Sequence, residues 1–150
     1  MPILNYTTEV PSDRTVAEIQ RILAKAGAAS VRIDYAQGEP AAVSFLLMLG
    51  GQPAPFRLPS NWEGVWAIIR KDASVARRLR TEGQAKRIAW RVVKDWVEAQ
   101  LALIQSGQAS MAQLFLPHAV RADGRTFFEV VAAEPQLLLG RGGGDPAPSA

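Results

Sequence analysis

The sequence has no cysteine and a single histidine, His118. Disulfides, thiol nucleophiles and cysteine-ligated zinc are therefore excluded, and so are metal sites built from several histidines. No stretch reaches the roughly 18 uncharged apolar residues that a membrane span requires. The first residues carry no basic segment followed by an apolar run, so no signal peptide is evident. These absences predict a soluble intracellular protein with no membrane partner.

Catalytic arrangements are also lacking. His118 has no carboxylate or serine at a spacing that would indicate general acid–base or nucleophilic chemistry. Asp95 and Glu98 lie three residues apart among lysines and arginines, which favours ion pairs over an acid–base pair. The glycine-rich stretch at 140–144 has neither the lysine nor the following helix of a phosphate-binding loop. The sequence therefore predicts a protein that is not an enzyme, with no metal site and no cofactor.

The length and composition are those of one folded domain. The chain has 150 residues, of which 48% are hydrophobic and 21% are charged, enough for a core without disulfides or metals. From residue 140 onward no large apolar side chain is present to anchor the chain. We therefore expect a single domain over residues 1–139, followed by a flexible Gly/Pro-rich tail over residues 140–150.

Four stretches have the composition of β-strands. Residues 3–10 mix β-branched and aromatic side chains and end at Pro11, which is typical of an edge strand. Residues 30–35 alternate between apolar and polar, residues 42–49 are nearly all apolar, and residues 56–58 end at Pro59. The last three are joined by short turns rich in glycine and proline, which predicts an antiparallel meander.

Helix starts are indicated by a Ser or Thr followed three residues later by Glu or Gln, because the two side chains can cap the first turn. Five such pairs occur: Thr15 with Glu18, Ser60 with Glu63, Thr81 with Gln84, Ser110 with Gln113, and Thr126 with Glu129. Residues 73–80 could either continue the second helix or form a basic connector. The predicted fold class is α+β: a small antiparallel sheet in β-α-β-β-β order, packed by a long helix and several shorter C-terminal helices.

The longest helical signal covers residues 82–106 and has two apolar lines. The first line, which we expect to face the sheet, contains Ala85, Ile88, Ala89, Val92, Trp96, Ala99 and Leu103. The second line contains Val93, Val97 and Ile104, with Trp90 and Leu101 nearby. Either neighbouring helices cover the second line or another subunit does.

Positive charge is concentrated just before and within this helix. Residues 70–94 hold nine basic and two acidic side chains, a net charge of +7, whereas the rest of the chain has eight basic and twelve acidic ones. Cations interleaved with an aromatic side chain are typical of nucleic-acid binding, where phosphates meet cations and a base stacks on a ring. The candidate nucleic-acid or anion-binding residues are Arg77, Arg78, Arg80, Lys86, Arg87, Trp90, Arg91 and Lys94. The alternative is a solvated helix face with a Lys94–Glu98 pair and Trp90 in the core.

Six segments carry a resemblance: PILNYTTEV, TVAEIQRILAKAGA, PFRLP, AWRVVKDWVEAQLALI, LFLPHAV and DGRTFFEVV. Through them, residues 2–131 resemble a family of small uncharacterised proteins encoded by bacteriophages and prophages. The resemblance brings no catalytic residues. It implies an accessory protein in the cytoplasm of a bacterial host, in a setting such as DNA replication and recombination, transcription control or evasion of host defence.

Two functions are consistent with these features. The first is a non-enzymatic, nucleic-acid-associated accessory protein that contacts DNA or RNA through the basic segment. The second is an oligomeric protein-interaction or counter-defence module, which would self-associate through the second apolar line and bind a host protein or sequester a small nucleotide. The same arginines would serve a nucleotide, so charge alone does not separate the two.

Overall fold

The computed structural model describes residues 1–140, so the predicted tail from residue 141 onward lies outside the described part. The α+β class is confirmed: a three-stranded sheet is accompanied by six α-helices within these residues. The elements are α1 Ser12–Lys25, β1 Ser30–Ala36, β2 Glu39–Leu49, β3 Gln52–Pro59, α2 Trp62–Ile69, α3 Glu82–Gln105, α4 Met111–Phe115, α5 Phe127–Ala133 and α6 Gln136–Leu139. Two 3₁₀ turns, Arg77–Leu79 and Leu116–His118, complete them.

The sheet is the antiparallel meander that the turn residues predict, with the order β1-β2-β3. Ile33 of β1 lies opposite Val43, and Phe45 of β2 lies opposite Phe56. The turn between β2 and β3 is formed by two glycines that both have positive φ. This is the backbone that a tight hairpin needs and that other residues adopt at a cost.

The predicted strand at residues 3–10 is wrong, because this segment forms turns and makes no sheet pairing. Asn5 has a φ of 65°, which breaks an extended run. The side-chain amide of Gln84 donates to the carbonyl oxygens of Tyr6 and Thr8, at 2.9 Å each. These backbone groups therefore find their partners on α3, and a fourth strand is not needed to satisfy them.

The main core lies between the sheet and helices α1 and α3. Val16, Ile19 and Leu23 of α1 are fully buried against the inward side chains of β2 and β3. Trp90 and Val97 of α3 close the same cluster. Burying one such aliphatic side chain stabilises the fold by about 1.5–3 kcal/mol relative to leaving it in water.

The roles of the two apolar lines on α3 differ from the prediction. Ala85 and Ile88, with Val92, belong to a second cluster around Ile69 of α2, so the upper part of the first line faces α2 instead of the sheet. The second line enters the main core, where its buried or partly buried members are Trp90, Val93, Val97 and Ile104. The second line is therefore covered within the chain. That outcome removes the reason for placing a subunit interface on it.

Three of the five predicted helix caps are confirmed. The side chains of Thr81, Ser110 and Thr126 each accept a hydrogen bond from the backbone amide three residues later. The other two predictions are wrong in position. Helix α1 begins one turn earlier, after Pro11, which puts Thr15 inside it, and α2 is capped by Asn61, one residue after Ser60.

None of the helices within residues 1–140 combines the length and the apolar character needed to cross a membrane.

Candidate functional site

Two of the candidate cations on α3 are engaged with neighbouring carboxylates. Arg91 donates from Nη1 to Glu18 Oε2 of α1 at 2.7 Å, and only 17% of the Arg91 side chain is exposed. Lys94 donates to Glu98 at 2.7 Å and lies 3.9 Å from Asp95. Arg91 therefore links α3 to α1. Lys94 forms an ion pair with Glu98 along the helix, as the alternative interpretation of a solvated helix face predicts.

Lys86 is also paired. Its ammonium group donates to Glu39 at the start of β2, with 2.6 Å between Nζ and Oε2. The same ammonium group lies 4.8 Å from the centre of the Trp62 ring, a cation–π arrangement. Lys86 thus joins α3, the β1–β2 hairpin and α2.

Trp90 does not offer a stacking surface, and its assignment to a nucleic-acid site is corrected. Its side chain is 1% exposed and forms part of the main core. An edge of the residue borders the cleft described below, but a side chain that is 1% exposed leaves too little ring surface for a base to stack on. The periodicity of α3 puts Trp90 on the same face as Val93 and Val97, and burial of this large apolar ring outweighs any gain from exposing it.

Arg87 is held in a different way, through an amide. Its Nε and Nη2 atoms donate to Oε1 of Gln84 at 3.0 Å and 2.8 Å. Gln84 is 2% exposed and is itself fixed by the two carbonyl oxygens of the N-terminal segment. The guanidinium is therefore held in place without being neutralised, since no carboxylate of residues 1–140 pairs with it.

The connector, residues 70–81, joins α2 to α3 and is the most basic segment of the surface. It forms a compact loop around Val75, which is fully buried. Arg80 holds the loop closed by donating from Nε to the Val75 carbonyl oxygen at 2.9 Å, with a longer contact to that of Ala73. This answers the question that the sequence left open: residues 73–80 do not extend α2.

Four cations of the connector lie on the protein surface. Arg70, Lys71, Arg77 and Arg78 are all exposed, and none of their side chains bonds to a residue in the part of the chain that the structure describes. The single acid, Asp72, is bonded by the side-chain hydroxyl and the backbone amide of Ser74, which lower the pKa of its carboxyl group. The loop therefore presents cations that have no local acidic partner.

A cleft of about 530 Å³ lies between the β1–β2 hairpin and the first turns of α1, α2 and α3. Its lining includes Lys86, Arg87, Trp62 and Ser60. The volume falls within the range of small-molecule sites, about 300–1,000 Å³. The sequence-predicted residues Lys86, Arg87 and Trp90 all line this cleft, whereas Arg77, Arg78 and Arg80 belong to the connector.

His118 lies apart from both regions. Its ring is half-buried and packs edge-on against Trp96, with 5.6 Å between ring centres. Burial lowers the pKa of the imidazole, and a hydrogen bond with the backbone of Arg57 opposes this only in part. No group of three His, Asp or Glu side chains within residues 1–140 is arranged to hold a metal ion.

Comparisons with protein-family models, with curated proteins and with solved structures each find no match. The function is therefore argued from the residues of this chain, and the resemblance to phage-encoded proteins stays a prediction.

Several residues of these surfaces were not identified from the sequence. The sequence pattern indicates Gln84 only as the cap partner of Thr81. Its amide also holds Arg87, and that amide is oriented by a hydrogen bond to the carbonyl oxygen of Tyr6, which is 78 residues away in the chain. Arg70 and Lys71 were counted in the basic segment without being named as candidates. Both lie directly after Ile69, where α2 ends, and both are exposed.

Proposed function

We propose that the protein is a non-enzymatic, nucleic-acid-associated protein that contacts phosphates through the connector. The observation that carries the proposal is the set of exposed cations at Arg70, Lys71, Arg77 and Arg78, whose side chains have no partner among residues 1–140. Residues 70–80 hold five basic side chains against one acid. Cations without protein partners keep their full charge for an incoming phosphate.

Contacts of this kind attach the protein to the phosphate backbone and carry no sequence preference. With Trp90 buried, no stacking contribution from that ring is expected. If two to four phosphates are neutralised, the logarithm of the affinity falls with the logarithm of the salt concentration with a slope of about −2 to −4. Raising the salt from about 50 to 200 mM then weakens binding by roughly ten- to a hundredfold or more.

The direct test is an electrophoretic shift with single- and double-stranded DNA and RNA at two salt concentrations. We expect a shift at low salt that weakens at high salt. Lack of any shift at low salt would contradict the proposal, and binding that is insensitive to salt would exclude the phosphate mechanism.

The resemblance to phage-encoded proteins supports a setting for this activity. A small accessory protein of replication or recombination, acting in the cytoplasm of a bacterial host, would need affinity for nucleic acid without needing catalysis. Sequence-independent contacts suit such a role, because the substrate strands are not fixed in sequence.

A second candidate is an interaction module that forms homo-oligomers or binds a host protein, in a counter-defence role. It is favoured by a different feature, the apolar side chains of α5 and α6. Phe128, Leu138 and Leu139 are 65%, 73% and 83% exposed. Clustered exposed apolar side chains are typical of interaction surfaces.

Light scattering on the full chain and on Leu138→Ser/Leu139→Ser tests this candidate. An oligomer that the double substitution converts to a monomer would support self-association. A wild-type monomer would exclude it, and a host partner would then have to be sought by its dependence on the same two residues.

A further inference from the structure

The cleft between the hairpin and the three helices brings together polar groups that the connector proposal does not use. Its floor and walls include the first turns of α1, α2 and α3, contributed by residues such as Ser12, Glu63 and Gly83. The positive ends of three helix dipoles therefore converge on one space. Three helix N-termini near one space are not by themselves evidence of a binding site. Evidence for a ligand has to come from the side chains that line the cleft.

The first such side chain is Arg87. Gln84 holds its Nε and Nη2 atoms, which leaves Nη1 without a bond to any residue in the range 1–140. Nη1 lies 3.8 Å from the position that a Cβ on Gly83 would occupy. An anion entering at Gly83 would meet a guanidinium that is already oriented, so less side-chain entropy is lost on binding.

The second is Ser60. Its Oγ is shielded from solvent and has no hydrogen-bond partner among the described residues, although the residue lines the cleft. A hydroxyl left unpaired in this way costs about 1–3 kcal/mol in general, and native proteins rarely retain one without a purpose. Because this atom is closed off from solvent, a polar ligand atom in the cleft would reach the hydroxyl only if the serine side chain rotated toward it.

Carboxylates also line the cleft and restrict the kind of ligand. Glu39 is neutralised by Lys86, but Asp13 and Glu63 lie in the first turns of α1 and α2. A simple polyanion would be repelled by these two. A ligand that carries both an anionic group for Arg87 and hydrogen-bond donors for the two carboxylates would suit this mixed lining.

We propose that this cleft binds a small nucleotide-sized ligand, with its phosphate between Arg87 and Gly83 and its amino-bearing portion toward Asp13 and Glu63. Trp62, partly exposed beneath the Lys86 ammonium, supplies an apolar wall for a planar ring. The proposal is independent of nucleic-acid binding by the connector, because it uses none of the connector's cations.

The test is isothermal titration calorimetry of the full chain with adenosine monophosphate, adenosine and inorganic phosphate. We expect adenosine monophosphate to bind at least tenfold more tightly than either fragment, because only the whole molecule offers a partner both to Arg87 and to the carboxylates. Equal binding of inorganic phosphate would overturn the assignment of a nucleotide. No heat with any of the three would overturn the site.

Two variants keep the test independent of folding. Gly83→Ala puts a methyl group in front of Nη1 at an ordinary contact distance and favours the helix, so the fold is retained. Arg87→Gln removes the charge. Each should weaken the binding of adenosine monophosphate at least tenfold, whereas Arg77→Gln/Arg78→Gln should leave it unchanged. Wild-type affinity in both cleft variants would contradict the proposal, and loss of affinity in the connector variant would assign the nucleotide to the connector.

Discussion

Neighbouring side chains on α3 differ in exposure and in bonding partners, and the partners come both from α3 itself and from distant parts of the chain. Trp90 faces the sheet and is buried, while Arg87, one turn earlier, is held at the edge of a cleft by Gln84. Arg91, on the other side of Trp90, is bonded to Glu18, which is 73 residues away. A helical wheel gives the direction of each side chain but not the identity of its partner.

Replacing Trp90 separates a core role from a stacking role. Trp90→Ala removes a fully buried ring and should lower the free energy of unfolding by about 3–5 kcal/mol. Chemical denaturation followed by circular dichroism measures this. As a control, Phe128→Ala, at a side chain that is 65% exposed, should change stability by less than about 0.5 kcal/mol. If Trp90→Ala were as stable as the wild type but bound nucleic acid more weakly, the core role would be contradicted and a stacking role for Trp90 would be supported.

His118 should make stability depend on pH in a defined direction. Because burial lowers the pKa of its imidazole in the folded protein, the unfolded chain binds the proton more tightly. The stability that comes from the neutral imidazole is fully present above the ordinary histidine pKa of 6.5 and is lost as the pH falls from there toward the lower pKa of the folded protein. Denaturation between about pH 5.5 and 8 should therefore show wild type losing more stability on acidification than His118→Gln. Parallel profiles for the two proteins would contradict this account of the histidine.

At the scale of elements, the start of α2 offers a matched pair of substitutions. Asn61 accepts a hydrogen bond from the Gly64 amide, so Asn61→Ala should cost about 1 kcal/mol of unfolding free energy. Ser60 has no such bond and its Oγ is unpaired, so Ser60→Ala should be neutral or slightly stabilising. Thermal unfolding of the two variants gives the order of stability. If Ser60→Ala were the less stable of the two variants, Ser60 would be the capping residue, as the sequence pattern predicts.

The elements that the sequence predicts well are those whose signals are local. The three hairpin strands follow from alternation and turn residues, and the caps at Thr81, Ser110 and Thr126 follow from spacing alone. The wrong predictions arise where two neighbouring residues compete for the same structural role. At α2, Ser60 and Asn61 are both good caps, and Asn61 is the residue that adopts the cap position.

The strand predicted at residues 3–10 is wrong because of tertiary contacts. Residues 3–10 have strand composition, yet their carbonyl groups bond to the side chain of Gln84, and Asn5 donates to Asp95 at 2.7 Å. Both partners lie on α3. No local pattern in the first ten residues specifies these contacts, so composition alone favours a strand.

At the scale of the whole molecule, the basic segment divides into two unlike parts. The cations of α3 predicted from the sequence are mostly engaged: Lys86, Arg91 and Lys94 each pair with a carboxylate. Within residues 70–94, the four cations that are exposed and have no side-chain partner among residues 1–140 all belong to the connector. The sequence therefore located the excess of positive charge correctly, but it could not tell which charges the fold uses internally, because their acidic partners lie on α1, the hairpin and α3 itself.

This division also changes which substitutions are informative. Reversing Arg91 to glutamate would place it against Glu18 and disturb the packing of α1 on α3, so a loss of binding could not be separated from a loss of structure. Arg77 and Arg78 have no such contacts with described residues. Substitutions there should leave the free energy of unfolding within about 0.5 kcal/mol of the wild-type value.

The most direct test is the affinity for a fluorescent single-stranded oligonucleotide at several salt concentrations, measured by anisotropy. Arg77→Glu/Arg78→Glu is compared with Arg21→Glu/Lys25→Glu, a matched pair of exposed cations on α1 with the same change of net charge. We predict that the connector variant binds at least tenfold more weakly and that its salt slope is shallower by about 1–2, while the α1 variant loses much less. Equal losses in the two variants, or an unchanged slope in the connector variant, would contradict the assignment of the connector as the phosphate-binding surface.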